Sequence, residues 1–176
     1  GEAQVAIEAA VRATLKPDMN LLDVGCGTGA FARGLIAEGM PPRQITLLDS
    51  SKSMLSQCSD IPVRSLNGRI ENLPFEDCTF DIVTCAWVLE TVPNPEAAVK
   101  ELCRVVRSGG LLCLAFCADS DTRSVAEWLL RKTILHRGSG SFLCRNQVSD
   151  LIGKSGEFHV HFVPSNGPAA ALLVRR

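Results

Sequence analysis

The apolar positions of this chain follow two periods. From Ala3 to Leu15, Val5, Ile7, Ala9, Val11 and Leu15 stand among polar residues at mainly helical spacing. That pattern predicts a leading helix, ended by Pro17-Asp18. Short apolar runs then alternate with helical stretches. Runs at Asn20–Val24, Gln44–Leu48, Val63–Leu66, Asp81–Ala86 and Leu111–Cys117 predict five strands. A helix is expected from about Gly29 to Glu38, stopped by Gly39 as a natural C′ residue. Another begins at Pro95 behind Asn94, an N-cap followed by an N1 proline. Its buried stripe is Ala98, Leu102, Val105 and Val106, and Ser108-Gly109-Gly110 ends it. Asp119–Leu135 reads as helical, with His136 near its C-terminus and a flexible link at Ser139–Ser141. A helix at Asn146–Lys154 leads to strands at Phe158–Val163 and Ala169–Val174. The segment between those strands contains Asn166-Gly167, a hairpin signal that predicts antiparallel pairing.

Strands alternating with helices and closed by one hairpin predict an α/β fold. The sheet is mostly parallel and doubly wound, with helices on both faces. No internal repeat or second domain is visible, so one domain over residues 1–176 is expected.

Composition narrows the partners more than the chemistry. Hydrophobic residues make up 46%, charged residues 21%, and the net charge is -1. A near-neutral chain gives no support for a nucleic-acid or anionic-membrane partner. No apolar run approaches a membrane span. The first fifteen residues read as an amphipathic helix rather than a secretory signal. The chain begins with Gly1 and not methionine, which leaves room for a preceding segment. Eight cysteines are present and none forms C-x-x-C, so zinc and thioredoxin readings are poor. A reduced, cytoplasmic compartment fits their placement on strands and helix faces.

The candidate chemistry concentrates in Leu21–Gly29, LLDVGCGTG. A buried strand stops at three alternating glycines, and a helix follows, with Thr28 expected to cap it. Strand, glycine loop and helix N-terminus together make a nucleotide-ligand site. Gly25, Gly27 and Ala30 satisfy the loose dinucleotide pattern, a weak signal alone. Asp23 argues against it, because its charge would repel a pyrophosphate and suits an ammonium or sulfonium group instead. Cys26 sits near the helix N-terminus, where a lowered pKa is one reading and a need for a small side chain the favoured one. Asp49 ends the second strand about twenty residues past the loop, placed to accept from both ribose hydroxyls. Capping the next segment is its plainer alternative.

These residues resemble the class I S-adenosylmethionine-dependent methyltransferases. The loop matches their first motif, and Asp49-Ser50-Ser51-Lys52-Ser53-Met54-Leu55 matches their D-x-S-x-x-M-L pattern. Leu73, Pro74, Phe75, Asp77, Phe80 and Asp81 match the segment before the fourth strand. The resemblance is nearest the ubiquinone and menaquinone branch. It implies the strand order 3-2-1-4-5-7-6 with the seventh strand antiparallel. It also implies S-adenosylmethionine as cofactor, S-adenosylhomocysteine as product and a small-molecule acceptor. The cofactor residues it implies are Asp23, Gly25, Cys26, Gly27, Thr28, Gly29, Asp49, Ser50, Met54, Ile70, Ala86 and Trp87. Met54 would cover one face of the adenine, Ile70 would line its pocket, and Ala86 and Trp87 would border the methionine end. Arg69 and Ile70 depart from the pattern, standing where the family carries an acid that accepts from the adenine amino group and a small residue. Guanidinium has only donors, so Arg69 either turns outward, with Glu71 and Glu76 as partners, or stacks on the adenine face opposite Met54; the first is favoured because holding the side chain costs entropy.

Acceptor-side chemistry is thin. Glu90 follows the fourth strand and reads equally as an acceptor-facing acid or a solvated loop acid. His136 suits a helix end. His159 and His161 share a strand face without a third ligand, so no metal is expected. No catalytic residue is assigned. A catalytically inactive cofactor-binding subunit supporting a partner protein is the alternative reading.

Overall fold

The computed structural model describes residues 2–118, 143–164 and 169–176. Helix α1 (Glu2–Thr14) leads into β1 (Leu21–Val24), α2 (Ala30–Ala37), β2 (Ile45–Asp49), α3 (Lys52–Ser56) and β3 (Arg64–Asn67). There follow β4 (Phe80–Ala86), α4 (Pro95–Val105), β5 (Val106–Cys117), α5 (Arg145–Lys154), β6 (His159–Val163) and β7 (Ala169–Arg175). The seven strands form one sheet in the order β3-β2-β1-β4-β5-β7-β6. Neighbours from β3 to β5 pair in parallel, and β7 runs antiparallel to both β5 and β6. Architecture and strand order are those the resemblance implies.

Side chains alternate across the sheet, and each face has its own core. Leu22, Val24, Leu48, Val83, Leu112, Leu114 and Phe116 pack under Ala98 and Leu102 of α4 and Val148 and Ile152 of α5. Leu21, Ile45, Leu47, Ile82, Leu111 and Cys113 pack on the other face, under α1 (Ala3, Ile7, Val11) and α2 (Ala32, Leu35). The central strands are thus buried on both sides, which explains their continuous apolar runs.

Several boundaries differ from expectation. Thr28 is exposed and does not cap α2. Gly29, with left-handed backbone at φ +74°, itself takes the cap position, one residue beyond the threonine. Helix α4 is capped by Asn94, whose Oδ1 accepts from Ala97 N at 3.0 Å. It ends at Val105 and not at Ser108-Gly109-Gly110. Those residues already belong to β5, in a bulge between the Phe80–Val106 and Ile82–Leu111 pairs. Gly110 is required there, since a Cβ would lie 2.8 Å from the Arg107 carbonyl oxygen. The expected helix Asp119–Leu135, His136, the link Ser139–Ser141 and the Asn166-Gly167 turn lie outside the described residues.

Candidate active site

The glycine loop leaves the carboxyl end of β1. Gly25, Gly27 and Gly29 take φ of +71°, +56° and +74°. The Gly25 and Cys26 amides both donate to Leu48 O, at 2.7 and 3.2 Å, which ties the loop to the end of β2. At Gly25 a Cβ would lie 2.1 Å from Val88 Cγ2, whereas at Gly27 it would meet nothing within 4 Å. The first glycine is therefore needed for packing, and the second leaves open space.

Asp49 holds both sides of this corner. Its Oδ2 accepts from Gly27 N at 2.9 Å and its Oδ1 from Ser51 N at 2.8 Å. It does not cap α3; Ser51 does, accepting from Met54 N.

A cleft of about 450 Å³ opens beside the loop. Of the residues the sequence pointed to, Gly25, Gly27, Asp49, Ser50, Met54, Ile70 and Trp87 line it. Asp23, Cys26, Thr28, Gly29 and Ala86 are outside its lining. The β4–α4 connection adds Val88, Thr91, Val92 and Pro93, the last three missed by motif matching because they are apolar or small. Arg69 and Glu71 stand at its rim, joined by an ion pair of 2.7 Å, with the arginine side chain 63% exposed. Arg69 thus turns to Glu71, as its lack of acceptor atoms leads one to expect.

Asp23 is buried in β1. Thr84 Oγ1 on β4 donates to its Oδ1 at 2.7 Å. Burial pushes its carboxyl up to about 6, with smaller contributions from the charges of Glu8 and Asp49. Glu8 lies on α1, outside the cleft lining, and pairs with Arg12 at 3.2 Å. Gln4 Nε2 donates to its other oxygen, Oε1, at 2.9 Å. Gln4 Oε1 in turn accepts from Trp87 Nε1 at 3.1 Å. Cys26 is no activated thiol: burial first, and the neighbouring Asp23 charge second, push it well above the ordinary thiol range.

Glu90 is not a solvated loop acid. It is 5% exposed, and its Oε2 has no hydrogen-bond partner among the described residues. Burial raises its pKa. It does not line the cleft. Among the described residues no group of three His, Cys, Asp or Glu is placed to hold a metal ion.

The methyltransferase-domain family matches residues 22–114, from β1 into β5. This chain belongs to that family. Within it, the chain falls with the class I S-adenosylmethionine-dependent enzymes, on the branch that includes quinone-biosynthesis methyltransferases. It is 37% identical over 105 residues to the demethylmenaquinone methyltransferase of Desulfitobacterium hafniense, a match covering 55% of this chain and 42% of that one. It is 36% identical over 113 residues to the ubiquinone/menaquinone biosynthesis C-methyltransferase of Laribacter hongkongensis, covering 59% and 46%. The chain thus spans under half the length of these curated relatives. In fold it matches the methyltransferase bound to the Trm112 activator from Haloferax volcanii, with a TM-score of 0.79 at 16% identity, over 98% of this chain and 88% of that one. A methyltransferase of Thermotoga maritima matches with a TM-score of 0.71 at 22% identity, over 99% and 89%. Identities this low speak for the fold alone.

The residues present fit the family's cofactor on structural grounds. The open space over Gly27 admits a ligand against bare backbone. Asp49 lines the cleft, and each of its oxygens keeps acceptor capacity beyond its one backbone bond. Asp23, buried near the end of β1 beside the loop, makes an acidic pole that a cationic ligand would help ionise; Glu8 is already paired with Arg12 at 3.2 Å.

Proposed function

We propose that this protein transfers a methyl group from S-adenosylmethionine to a small-molecule acceptor of the quinol type. The observation that carries the reading is the glycine loop beside an open cleft, with Asp49 lining it and Asp23 buried behind it. Nucleotides without a cation gain nothing from that pole, and a bound pyrophosphate would be repelled by it. The names of the curated relatives support a quinone-type acceptor.

In this reading Asp49 accepts from the ribose hydroxyls while holding the loop through Gly27. Ser50 flanks it. Met54 and Ile70 enclose the adenine, with Ile70 burying apolar area. Gly25, Gly27, Cys26, Thr28 and Gly29 shape the loop around the amino-acid portion, Asp23 answers its ammonium, and Ala86 and Trp87 border it. The cofactor, when bound, supplies an electrophilic methyl group. The chain's own residues bind, orient and exclude water, which is the larger part of catalysis for an in-line displacement. The 176 residues act as one cofactor-binding domain, in the cytoplasm. No helix among the described residues is long and apolar enough to cross a membrane.

A methyl-transfer assay over a panel of quinols and other small phenols, with mass detection of product, tests this. Product with any quinol supports it. Binding of S-adenosylhomocysteine without product from any acceptor supports the alternative, a cofactor-binding subunit for a partner protein. One observation favours that second reading. The titratable residues lining the cleft are Asp49, which the first reading gives to the ribose, and Arg69 and Glu71, which pair with each other, so none is left to serve as a base for an acceptor.

A further inference from the structure

Glu90 is a buried acid that the chemistry of the cleft leaves unused. It sits in one turn of 3-10 helix, Leu89–Thr91, within the β4–α4 connection. That connection is fixed at both ends. Trp87 N donates to Ala115 O on β5 at 2.7 Å, and Asn94 caps α4. Between these anchors Leu89, Glu90 and Val92 are buried, while Val88, Thr91, Val92 and Pro93 line the cleft. Seating this wall of the cleft therefore means burying a carboxyl.

The surroundings do little for a charge there. Glu90 Oε2 has no hydrogen-bond partner among the described residues. Asp81 Oδ1 also lacks one, but Arg107 pairs with it. No cation answers Glu90 in that way among the described residues. On β5 the Cys117 amide helps its carboxylate, as does its own amide, and together they offset burial only in part. On β4 the nearby titratable group is the Cys85 thiol, which feels the charges of Glu90 and Asp23. From α4 the shared core cluster holds Ala98, Val99 and Leu102, all apolar. A neutral acid tolerates such a place far better than a carboxylate, which loses its hydration. The carboxylate regains water only if the turn leaves its seat.

We propose that Glu90 is a positioning residue that latches the β4–α4 turn through its proton: protonated, it leaves the turn seated and the cleft wall complete; ionised, it draws the turn into water and the wall with it. Val88 carries the movement to the glycine loop, since it packs so closely on Gly25 that a Cβ there would lie 2.1 Å from its Cγ2. The latch acts on the wall whatever ligand the cleft takes, so its failure leaves the functional reading standing. Burial raises the folded pKa of Glu90. The latch is therefore set below the ordinary glutamate range and releases as pH rises through the raised value.

Amide hydrogen exchange of the native protein between pH 5 and pH 8, corrected for intrinsic rates, tests this. The Thr91 amide, which donates to Val88 O at 2.8 Å, reports the turn. The paired amides of β4 and β5 report the whole fold, including any effect of Asp23. Each pH unit above the folded pKa shifts the balance tenfold, so Thr91 protection is expected to fall about tenfold or more relative to the strands. In Glu90→Gln, which has no proton to lose in this range, the ratio stays flat. Glu90→Met carries the same comparison if the glutamine variant fails to fold. A native ratio that is flat from pH 5 to pH 8, or a fall that persists in a folded Glu90 variant, overturns the proposal.

Discussion

Asp23 carries a cost because its carboxyl is buried. Its carboxyl sits at about 6 in the folded chain because burial disfavours the charge. A raised acid pKa means the folded state binds more protons than the unfolded one between about pH 4 and 6. Stability therefore falls as pH rises through that window, by about 3 kcal/mol, and stays reduced above it. Asp23→Asn keeps an oxygen for the Thr84 hydroxyl and loses the charge. It is expected to melt above the native protein at pH 7.5 and level with it near pH 4, as followed by circular dichroism. Binding runs the other way. An ammonium group favours the ionised form, so affinity for S-adenosylhomocysteine should weaken as pH falls through about 6, and Asp23→Asn should lose that dependence. Asp49 differs because it already holds the glycine loop through its two oxygens. Asp49→Ala should cost about 2–3 kcal/mol of cofactor affinity, the worth of charge-assisted hydrogen bonds. The Gly27 and Ser51 amides also lose their acceptor, so the ligand-free variant should melt lower as well. The sequence pointed to the ribose role; it had no means of showing the loop's dependence on the same carboxylate, which exists only once β1 and β2 lie side by side.

Between elements, the glycine loop gives a sharp contrast. Gly25→Ala forces a Cβ onto Val88 and should destabilise the fold by about 2 kcal/mol or more. Gly27→Ala meets open space, so only the left-handed backbone is penalised, by about 1 kcal/mol. Its methyl group instead projects where a ligand would sit. The expected outcome is a modest fall in melting temperature with a large loss of cofactor affinity for Gly27→Ala, and the reverse order of stability loss for Gly25→Ala. Thermal melts and calorimetry on the two variants check this. The loop, the N-cap at Asn94 and the alternation of strands and helices were legible because each depends on a few neighbouring residues. The cap on α2 was misread, since Thr28 has the right chemistry and the wrong position once Gly29 turns left-handed. The start of β5 was missed because glycines that stop a helix also form a bulge in a strand.

Across the whole molecule, sequence order and spatial order part company at the site. One half of the cleft comes from β1, β2 and the β3–β4 connection, and motif spacing reached it. The other half comes from the β4–α4 connection, with α1 behind it. Gln4 and Trp87 are far apart in the chain, and no short pattern joins them. Two amphipathic faces sandwiching one sheet were readable from periodicity alone. Which helix lies behind which end of the cleft was not, because that depends on the crossover geometry of the sheet. If this cleft binds the methyl donor of its family, calorimetric titration of the native protein with S-adenosylhomocysteine, beside a parallel titration with NAD, will show it. Saturable one-to-one binding of S-adenosylhomocysteine is expected, with no heat of binding from NAD; binding of NAD with no response to S-adenosylhomocysteine would contradict it.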